Sequence, residues 1–159
     1  MPFVYRSPQN GTAQLVPPNW SSRNCIAETV RMPDAPPQYE PLYFQGIKYF
    51  NECEFFEAHE TWEELWTEYR GEARRFYQGL IQVAVALHHF GNGNIRGAKK
   101  VYLTSRTYLE GYPTQYIGLD LEAFLKQYQI CFAEILASEE EFPQIEIDPE
   151  LIPEIHLDT

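Results

Sequence analysis

The sequence is poor in cysteine and in basic residues. Its three cysteines, Cys25, Cys53 and Cys131, lie far apart and form no Cys-x-x-Cys pair. This favours a reduced, intracellular protein in which they are small buried hydrophobes. Twelve lysines and arginines stand against 23 aspartates and glutamates, which gives a net charge of −11. Because nucleic acids and anionic membranes require a concentrated positive surface, this charge argues against both as partners.

Signals for membrane insertion, secretion or a known chemistry are also missing. No apolar run approaches transmembrane length, and the first fifteen residues contain no continuous apolar core of a signal peptide. We therefore expect a cytoplasmic protein. The sequence contains no Gly-x-Ser-x-Gly elbow, P-loop or Rossmann fingerprint. It consequently specifies no reaction, and whether the protein is an enzyme stays open.

Proline and charge divide the chain into three parts. Residues 1–41 hold eight of the twelve prolines, so we expect an extended arm that wraps over the helical body or over a neighbouring subunit. Residues 42–137 are expected to form one helical bundle domain. Residues 138–159 are acidic and contain three prolines, and their aliphatic side chains predict an extended tail that docks along a groove. A homo-oligomer held together by the terminal arms is one expectation.

Helical spacing of apolar residues predicts five helices, at 42–50, 52–70, 72–90, 95–110 and 119–137. Asn51 is placed as the N-cap of the second helix, since Glu54 completes a capping-box spacing. Gly71 and Gly111 are placed as left-handed residues that end helices. Gly79, in the middle of the third helix, predicts the close approach of a neighbour. The predicted fold is all-α, a compact bundle of two helical hairpins plus one helix.

A weak internal echo with a period of forty residues supports the two hairpins. It aligns Phe50 with Phe90, and Trp62 with Tyr102. Each copy would be one helical hairpin with a small residue at the crossing, although two copies are too few for a solenoid.

Ionisable residues interrupt the apolar face of the second predicted helix. Successive residues advance by about 100° around a helix, which puts His59 inside a stripe that contains Trp62 and Trp66. Glu63 lies one turn beyond His59, and Glu60 lies at the border of the stripe. Because helical periodicity predicts apolar residues at these positions, we expect a functional site on this helix.

The third predicted helix carries a polar stripe of its own. Its members fall within a narrow arc, and they are Arg75, Gln78, Gln82 and His89. A central helix has little solvent to face. The stripe therefore either points outward or lines the same pocket as His59 and Glu63.

Three interpretations of this site stay open. In the first, His59 and Glu63 bind a divalent metal, as the two ligands of an HExxH helix do, with a third ligand from distant His88, His89 or His156 or from nearby acids. In the second, His59 is a metal-free general base that Glu63 orients, while Glu60 or Arg75 contacts a substrate.

The third interpretation is structural. His59 and Glu63 would bond to each other and to Gln78 or Gln82, and this network would fix how the helices pack. For Trp62 and Trp66, aromatic residues at helical spacing are usually core residues.

Three ordered motifs together resemble one protein family. They are Phe55-x-Glu57-Ala58-His59-Glu60-x-x-Glu63-x-x-Trp66, then Gln78-Gly79-Leu80-Ile81-Gln82, then Asn94-x-x-Gly97-Ala98. The set resembles domain of unknown function 309, over roughly residues 42–110. The resemblance implies a compact helical bundle in which the His-Glu region faces the Gln-Gly-Leu-Ile segment. It implies no activity.

Two functional hypotheses follow from the sequence. In the first, a polar pocket between the second and third helices binds a small ligand or a metal and catalyses acid-base or hydrolytic chemistry. His59, Glu60 and Glu63 would be catalytic, and the ligand-binding residues would be Trp66, Arg75, Gln78, Gln82 and His89. In the second, the protein is a structural or protein-interaction module. A sealed polar network beside an exposed aliphatic groove would favour the second hypothesis.

Overall fold

The computed structural model describes residues 39–158. Within them it contains six α-helices, one two-stranded hairpin and a short 3-10 helix. The helices are α1 (Pro41–Asn51), α2 (Phe55–Glu68), α3 (Arg74–Gly91), α4 (Ile95–Leu109), α5 (Leu121–Cys131) and α6 (Ala133–Ala137); the strands are β1 (Gln115–Tyr116) and β2 (Leu119–Asp120), and the 3-10 helix is Pro149–Leu151. The prediction of an all-α bundle is confirmed. Nearly all of the predicted N-terminal arm lies outside the described residues.

The centre of the bundle is α3, which packs against α2 on one side and α4 on the other. All residues from Gly79 to Leu87 are buried, as expected for a helix that is apolar on nearly every side. A methyl carbon added at Gly79 would lie 2.6 Å from the Leu109 side chain. The predicted close approach at Gly79 is therefore confirmed, and its neighbour is the end of α4.

The connection between α1 and α2 differs from the prediction. Asn51 is not the N-cap of the second helix but the last residue of α1, and α2 begins only at Phe55. Two bonds close the end of α1, from Glu54 N to Tyr49 O and from Cys53 N to Phe50 O, both 2.9 Å. Cys53 has a φ of 63°, so the helix ends in a Schellman motif with a cysteine at the left-handed position.

The same motif ends α3. The amides of Gly93 and Asn94 donate to the carbonyls of Phe90 and His89, and Gly93 has a φ of 81°. Cys53 and Gly93 are forty residues apart, which is the period of the internal echo. The two helical hairpins therefore turn in the same way, although only the second has glycine at the left-handed position.

Gly71 does not have the predicted left-handed conformation, which among the described glycines occurs at Gly93, Gly111 and Gly118. Instead, α2 ends at Glu68, and a side chain at position 71 would collide with the ring of Tyr69. Gly71 is thus needed for space, whereas Gly111, with a φ of 99°, is left-handed as predicted.

The last predicted helix is two helices preceded by a hairpin. Ile117 and Gly118 both have positive φ values and join β1 to β2, as in a type I′ turn. Asp120 then caps α5 by accepting a hydrogen bond from Ala123 N at 3.0 Å. The chain leaves helical geometry at Phe132, whose fully buried ring stacks on Tyr102 at a centroid distance of 4.7 Å. Helix α6 begins directly after it.

The C-terminal segment, residues 138–158, packs back on the helices. Ile152 and Ile155 are buried, while Ile145, Ile147 and Leu157 are partly buried against the core. Close to its end, the amide of Asp158 donates to Gly118 O at 2.8 Å. The tail therefore covers apolar surface that the bundle would otherwise expose, and the hairpin holds the end of the tail.

Candidate functional site

Helix α2 brings His59 and Glu63 together, one turn apart. His59 Nε2 lies 3.2 Å from Glu63 Oε2. The imidazole is 8% exposed, whereas Glu63 and Glu60 are on the exposed surface. The helical spacing of four residues is sufficient to produce this pair. Of the three residues predicted to be catalytic, two are in contact, and the third, Glu60, faces solvent.

Aromatic side chains surround the buried histidine. The Phe56 ring lies between two imidazoles, 5.8 Å from His59 and 6.0 Å from His88 by ring centroids. The space lined by these three residues with Phe55 and Val85 is about 140 Å³ and has no room for a water molecule. A substrate could reach His59 from this side only if Phe56 or His88 moved.

The two histidines at the end of α3 are held by the turn that follows. Asn92 Nδ2 lies 3.0 Å from His88 Nε2, and Asn94 Nδ2 lies 3.2 Å from His89 Nδ1. The pKa of His88 is lowered to about 4 by burial and, to a lesser extent, by the neighbouring imidazoles of His89 and His59. Burial also lowers the pKa of His89. His88 is therefore neutral at pH 7, so its ring nitrogen can accept from the Asn92 amide.

The polar stripe of α3 does not converge on His59. Gln82 is buried, but its side chain forms no hydrogen bond with any described residue, and Gln78 is half-buried. Arg75 donates to Thr107 O at 3.2 Å and stacks on the Tyr108 ring. It is ten residues, or about 15 Å along the helix, from Val85, which borders the His59 cleft.

Trp66 also lies apart from the cleft. The guanidinium of Arg74 sits 4.1 Å above its ring, which is a cation–π contact. The residues predicted to bind one ligand are thus spread along two helices. On α3, Gln82 and His89 are each about one turn from Val85, which borders the His59 cleft, whereas Arg75 is much farther along the helix.

A metal centre would need more ligands than the pair supplies. Residues 39–158 contain no group of three or more histidines, cysteines, aspartates or glutamates that could hold a metal ion. His59 and Glu63 present two ligands on one helix face, and a catalytic zinc site usually takes three from the protein. Within the described chain, the pair is therefore a hydrogen-bonded contact with only part of a ligand set.

A much larger concave surface than the His59 cleft lies between α5 and the C-terminal segment. It is an open groove of about 800 Å³. Apolar and acidic residues line it together with His156, and its lining includes Phe124, Gln127, Ile130, Glu150, Leu151 and Ile152. Ile130 is 50% exposed, and Leu151 is also exposed. The sequence signal for this surface was the chain after Lys126, where acids and aliphatic residues alternate without any lysine or arginine.

Comparison with known proteins finds a family model that matches part of the helical core. The family model "Domain of unknown function (DUF309)" matches residues 43–101. The predicted resemblance is confirmed. The matched segment extends from α1 into α4, so it contains the His59–Glu63 pair and the whole of α3. The groove between α5 and the C-terminal segment lies outside the DUF309 match.

Two curated proteins are similar to this chain. An uncharacterized protein of Aquifex aeolicus (strain VF5) is 33% identical over 73 residues, which are 45% of this chain and 22% of that protein. The uncharacterized protein YpuF of Bacillus subtilis (strain 168) is 36% identical over 101 residues, 61% of this chain and 58% of that protein. The chain thus spans from about a fifth to three fifths of the length of these relatives. Neither name states a function.

Membrane insertion finds no support in the described helices. None of the helices between residues 39 and 158 is both long enough and apolar enough to cross a bilayer.

Proposed function

We propose that this protein is a non-catalytic interaction module whose groove between α5 and the C-terminal segment binds a segment of a partner protein. The observation that carries the proposal is a contrast between two surfaces. The groove offers about 800 Å³ with exposed aliphatic residues at its edge, whereas the space beside His59 is too small for a water molecule. A site that has to admit a ligand needs volume first.

The groove itself suggests the chemistry of its partner. Asp120, Glu150 and Glu154 are among its lining residues, and neither lysine nor arginine lines it in the described chain. Ile130 and Leu151 present apolar side chains between these acids. A partner segment with aliphatic residues flanked by lysine or arginine would match both features, since apolar burial supplies affinity and opposite charge supplies orientation.

In this proposal the His59–Glu63 pair has a packing role. The pair lies where α2 meets the end of α3, and the Phe56 ring contacts both His59 and His88. Buried polar groups that are paired with a defined partner favour one arrangement of neighbouring helices. The contact of Phe56 with His88 would thus fix how α2 sits against α3, with Glu63 holding the His59 ring in place, while α5 and the tail contact the partner.

A peptide titration tests the groove. Fluorescence anisotropy is measured with three labelled synthetic peptides of equal length, composed of leucine and lysine, leucine and glutamate, or serine and lysine. We expect the leucine–lysine peptide to bind most tightly. Ile130→Ser should weaken its binding about tenfold, since one buried aliphatic side chain contributes 1.5–3 kcal/mol.

Leu103→Ser is the matched control. Leu103 is 51% exposed, almost the same as Ile130, but lies on α4 outside the groove. Its replacement should leave peptide affinity unchanged. Equal weakening by both variants, or equal binding of the glutamate peptide, would contradict the proposal.

Acid-base chemistry at His59 is the second candidate function, and the 3.2 Å contact between His59 Nε2 and Glu63 Oε2 favours it. A base oriented by a carboxylate has this geometry. The candidate requires the cleft to open, because Phe56 and His88 enclose the imidazole. Elemental analysis and hydrolase substrate panels, run on wild type and on a folded His59→Ala variant, test it. Activity or bound metal that disappears in the variant would support it over the packing role.

A further inference from the structure

Another concave surface, which contains Tyr116 and Ile117 of the hairpin, is lined largely by tyrosines. Tyr39, Tyr43, Tyr69, Tyr77 and Tyr116 line a pocket of about 430 Å³ between the start of α1, the α2–α3 connection and β1. This volume is within the range of ordinary small-molecule sites. The pocket is separate from the proposed partner groove, and none of the residues predicted as site residues lines it.

The tyrosine rings pack on one another. Tyr69 meets Tyr77 at 81° with centroids 5.2 Å apart, and Tyr39 meets Tyr43 at 74°. Tyr43 and Tyr77 are tilted by 50° at 5.5 Å, and both are almost fully buried. Tyr39, Tyr69 and Tyr116 are more exposed, so they offer most of the aromatic surface that a ligand in the pocket can contact.

Two glycines make room for this arrangement. A side chain at Gly71 would collide with the Tyr69 ring, and a side chain at Gly118 would collide with the Tyr39 ring. Hydrogen bonds fix the rings of Tyr39 and Tyr43, because their hydroxyls donate to Asp158 O at 2.7 Å and to Ile117 O at 3.2 Å, respectively. The chain therefore fixes two walls of the pocket through its backbone.

The hydroxyls of Tyr69, Tyr77 and Tyr116 form no hydrogen bond with another residue of the described range 39–158. Tyr77 is 3% exposed as a residue and still lines the pocket. Its hydroxyl can therefore bond to a ligand or to water there.

The charge of the pocket has one sign. Glu40 and Glu72 line it, and no described lysine, arginine or histidine does. The pKa of Tyr77 is raised by burial first and then by Tyr69, Glu40 and Tyr116. The pKa of Tyr116 is raised by burial and by groups that include Glu72. The hydroxyls of Tyr77 and Tyr116 therefore lie close enough to the carboxylates of Glu40 and Glu72 to feel their negative charge.

We infer that this tyrosine pocket binds an alkylated ammonium group. The faces of aromatic rings attract cations, and several rings around one quaternary ammonium form the usual cage for such ligands. Glu40 and Glu72 add attraction for a positive charge. An alkylated ammonium has methyl groups that pack on ring carbons, which suits a lining in which five of the ten residues are tyrosines. The cation is either a free small molecule or a methylated side chain of another protein.

An NMR titration of the whole protein tests this inference. Choline chloride is added and compared with its neutral isostere 3,3-dimethylbutanol and with sodium chloride at equal ionic strength. We expect saturable amide shifts at Gly71, Tyr77, Tyr116 and Gly118 with choline, and smaller shifts with the isostere. Equal affinity for choline and the isostere, or shifts no larger than those with sodium chloride, would overturn the inference.

Variants locate the binding within the pocket. Tyr69→Leu and the double variant Glu40→Gln/Glu72→Gln should each weaken choline binding about tenfold, by removing a ring face or the two charges. The double variant keeps the aromatic packing, so it tests the inference even if Tyr69→Leu unfolds. Tyr108→Leu and Glu64→Gln/Glu68→Gln are matched controls outside the pocket and should leave affinity unchanged. Equal losses in the control variants would overturn the inference.

A last arm of the titration distinguishes the sources of the cation. N-acetyl-trimethyllysine methylamide is compared with choline under the same conditions. Tighter binding of choline indicates a free small molecule, and tighter binding of the lysine derivative indicates a methylated protein side chain. Both outcomes support the inference, which stands or falls independently of the partner groove because Ile130→Ser leaves this pocket intact.

Discussion

The side chain of Asn51 pairs with the backbone of Ile155 as a neighbouring strand would. Asn51 Nδ2 donates to Ile155 O and Asn51 Oδ1 accepts from Ile155 N, both at 2.8 Å. One residue at the end of α1 thereby satisfies both polar backbone groups of a buried residue 104 positions later. This contact, together with the burial of Ile152 and Ile155, holds the tail that forms one wall of the groove.

Asn51→Ala should loosen the tail. Two hydrogen bonds are lost and the backbone of a buried residue is left without partners, so the free energy of unfolding should fall by about 2–3 kcal/mol. Hydrogen exchange at the Ile155 amide should accelerate more than exchange in α3. Asn51→Asp keeps the acceptor and should be intermediate. Unchanged exchange at Ile155 in Asn51→Ala would refute this role.

Ser105 and Tyr128 form a buried hydrogen-bonded pair, in which Ser105 has a second hydrogen-bond partner among the described residues and Tyr128 does not. Their hydroxyl oxygens are 2.7 Å apart, and Ser105 Oγ also lies 2.7 Å from Tyr102 O. Ser105→Ala should leave the Tyr128 hydroxyl unpaired in the core and lower the free energy of unfolding by about 2 kcal/mol. Tyr128→Phe leaves Ser105 bonded to Tyr102, so its loss should be about 1 kcal/mol. Urea unfolding measures both, and a larger loss in Tyr128→Phe would contradict this hydrogen-bond assignment.

His88 should make the protein less stable in mild acid. Its pKa is lowered to about 4 in the folded state, against about 6.5 in an unfolded chain. Between these values the unfolded state binds more protons, so stability is full above about pH 6.5 and falls as the pH drops toward 4. Between pH 7 and pH 5 the loss from this group should be about 1–2 kcal/mol.

The measurement is urea unfolding of wild type and His88→Gln at the two pH values. The difference between pH 7 and pH 5 should shrink in His88→Gln. His156→Gln is the control, because His156 is exposed on the tail. An undiminished pH dependence in His88→Gln would show that another group is responsible.

The long helices could be predicted from sequence because their apolar residues recur at helical spacing over many positions. Helices α3 and α4 lie within two residues of the predicted bounds at both ends. The Gly79 prediction also held, since a glycine inside an apolar helix has few purposes other than close packing.

The connections could not be predicted with the same rules. Asn51 followed by Glu54 has the spacing of a capping box, but α1 ends through Cys53 in the left-handed conformation, which cysteine rarely adopts. The hairpin turn at Ile117 and Gly118 lacks the usual Asn-Gly signal. In both places, contacts with the tail or the core outweigh the local preference of the residues.

The His59–Glu63 pair could be foreseen, because helical geometry alone brings residues four apart together. The residues that surround the pair could not be predicted. Whether Arg75 faces His59 depends on how α3 lies against α2 and α4, and the structure gives Arg75 partners on α4 instead. The acids and aliphatic residues after Lys126 predicted a docked tail, but the position of the groove depends on where residues 149–154 dock on α5, a long-range contact that this pattern does not specify.

The most direct test of the proposed function is to map the leucine–lysine peptide on the protein by amide chemical shifts. We predict saturable shifts at Ala123, Gln127, Ile130 and Leu151, on both sides of the groove, and no comparable shifts near the His59 cleft. The shifts could instead concentrate at Glu60, Glu63 and His88 and disappear in His59→Ala. That result would contradict the groove as the binding surface and indicate that the peptide binds at α2.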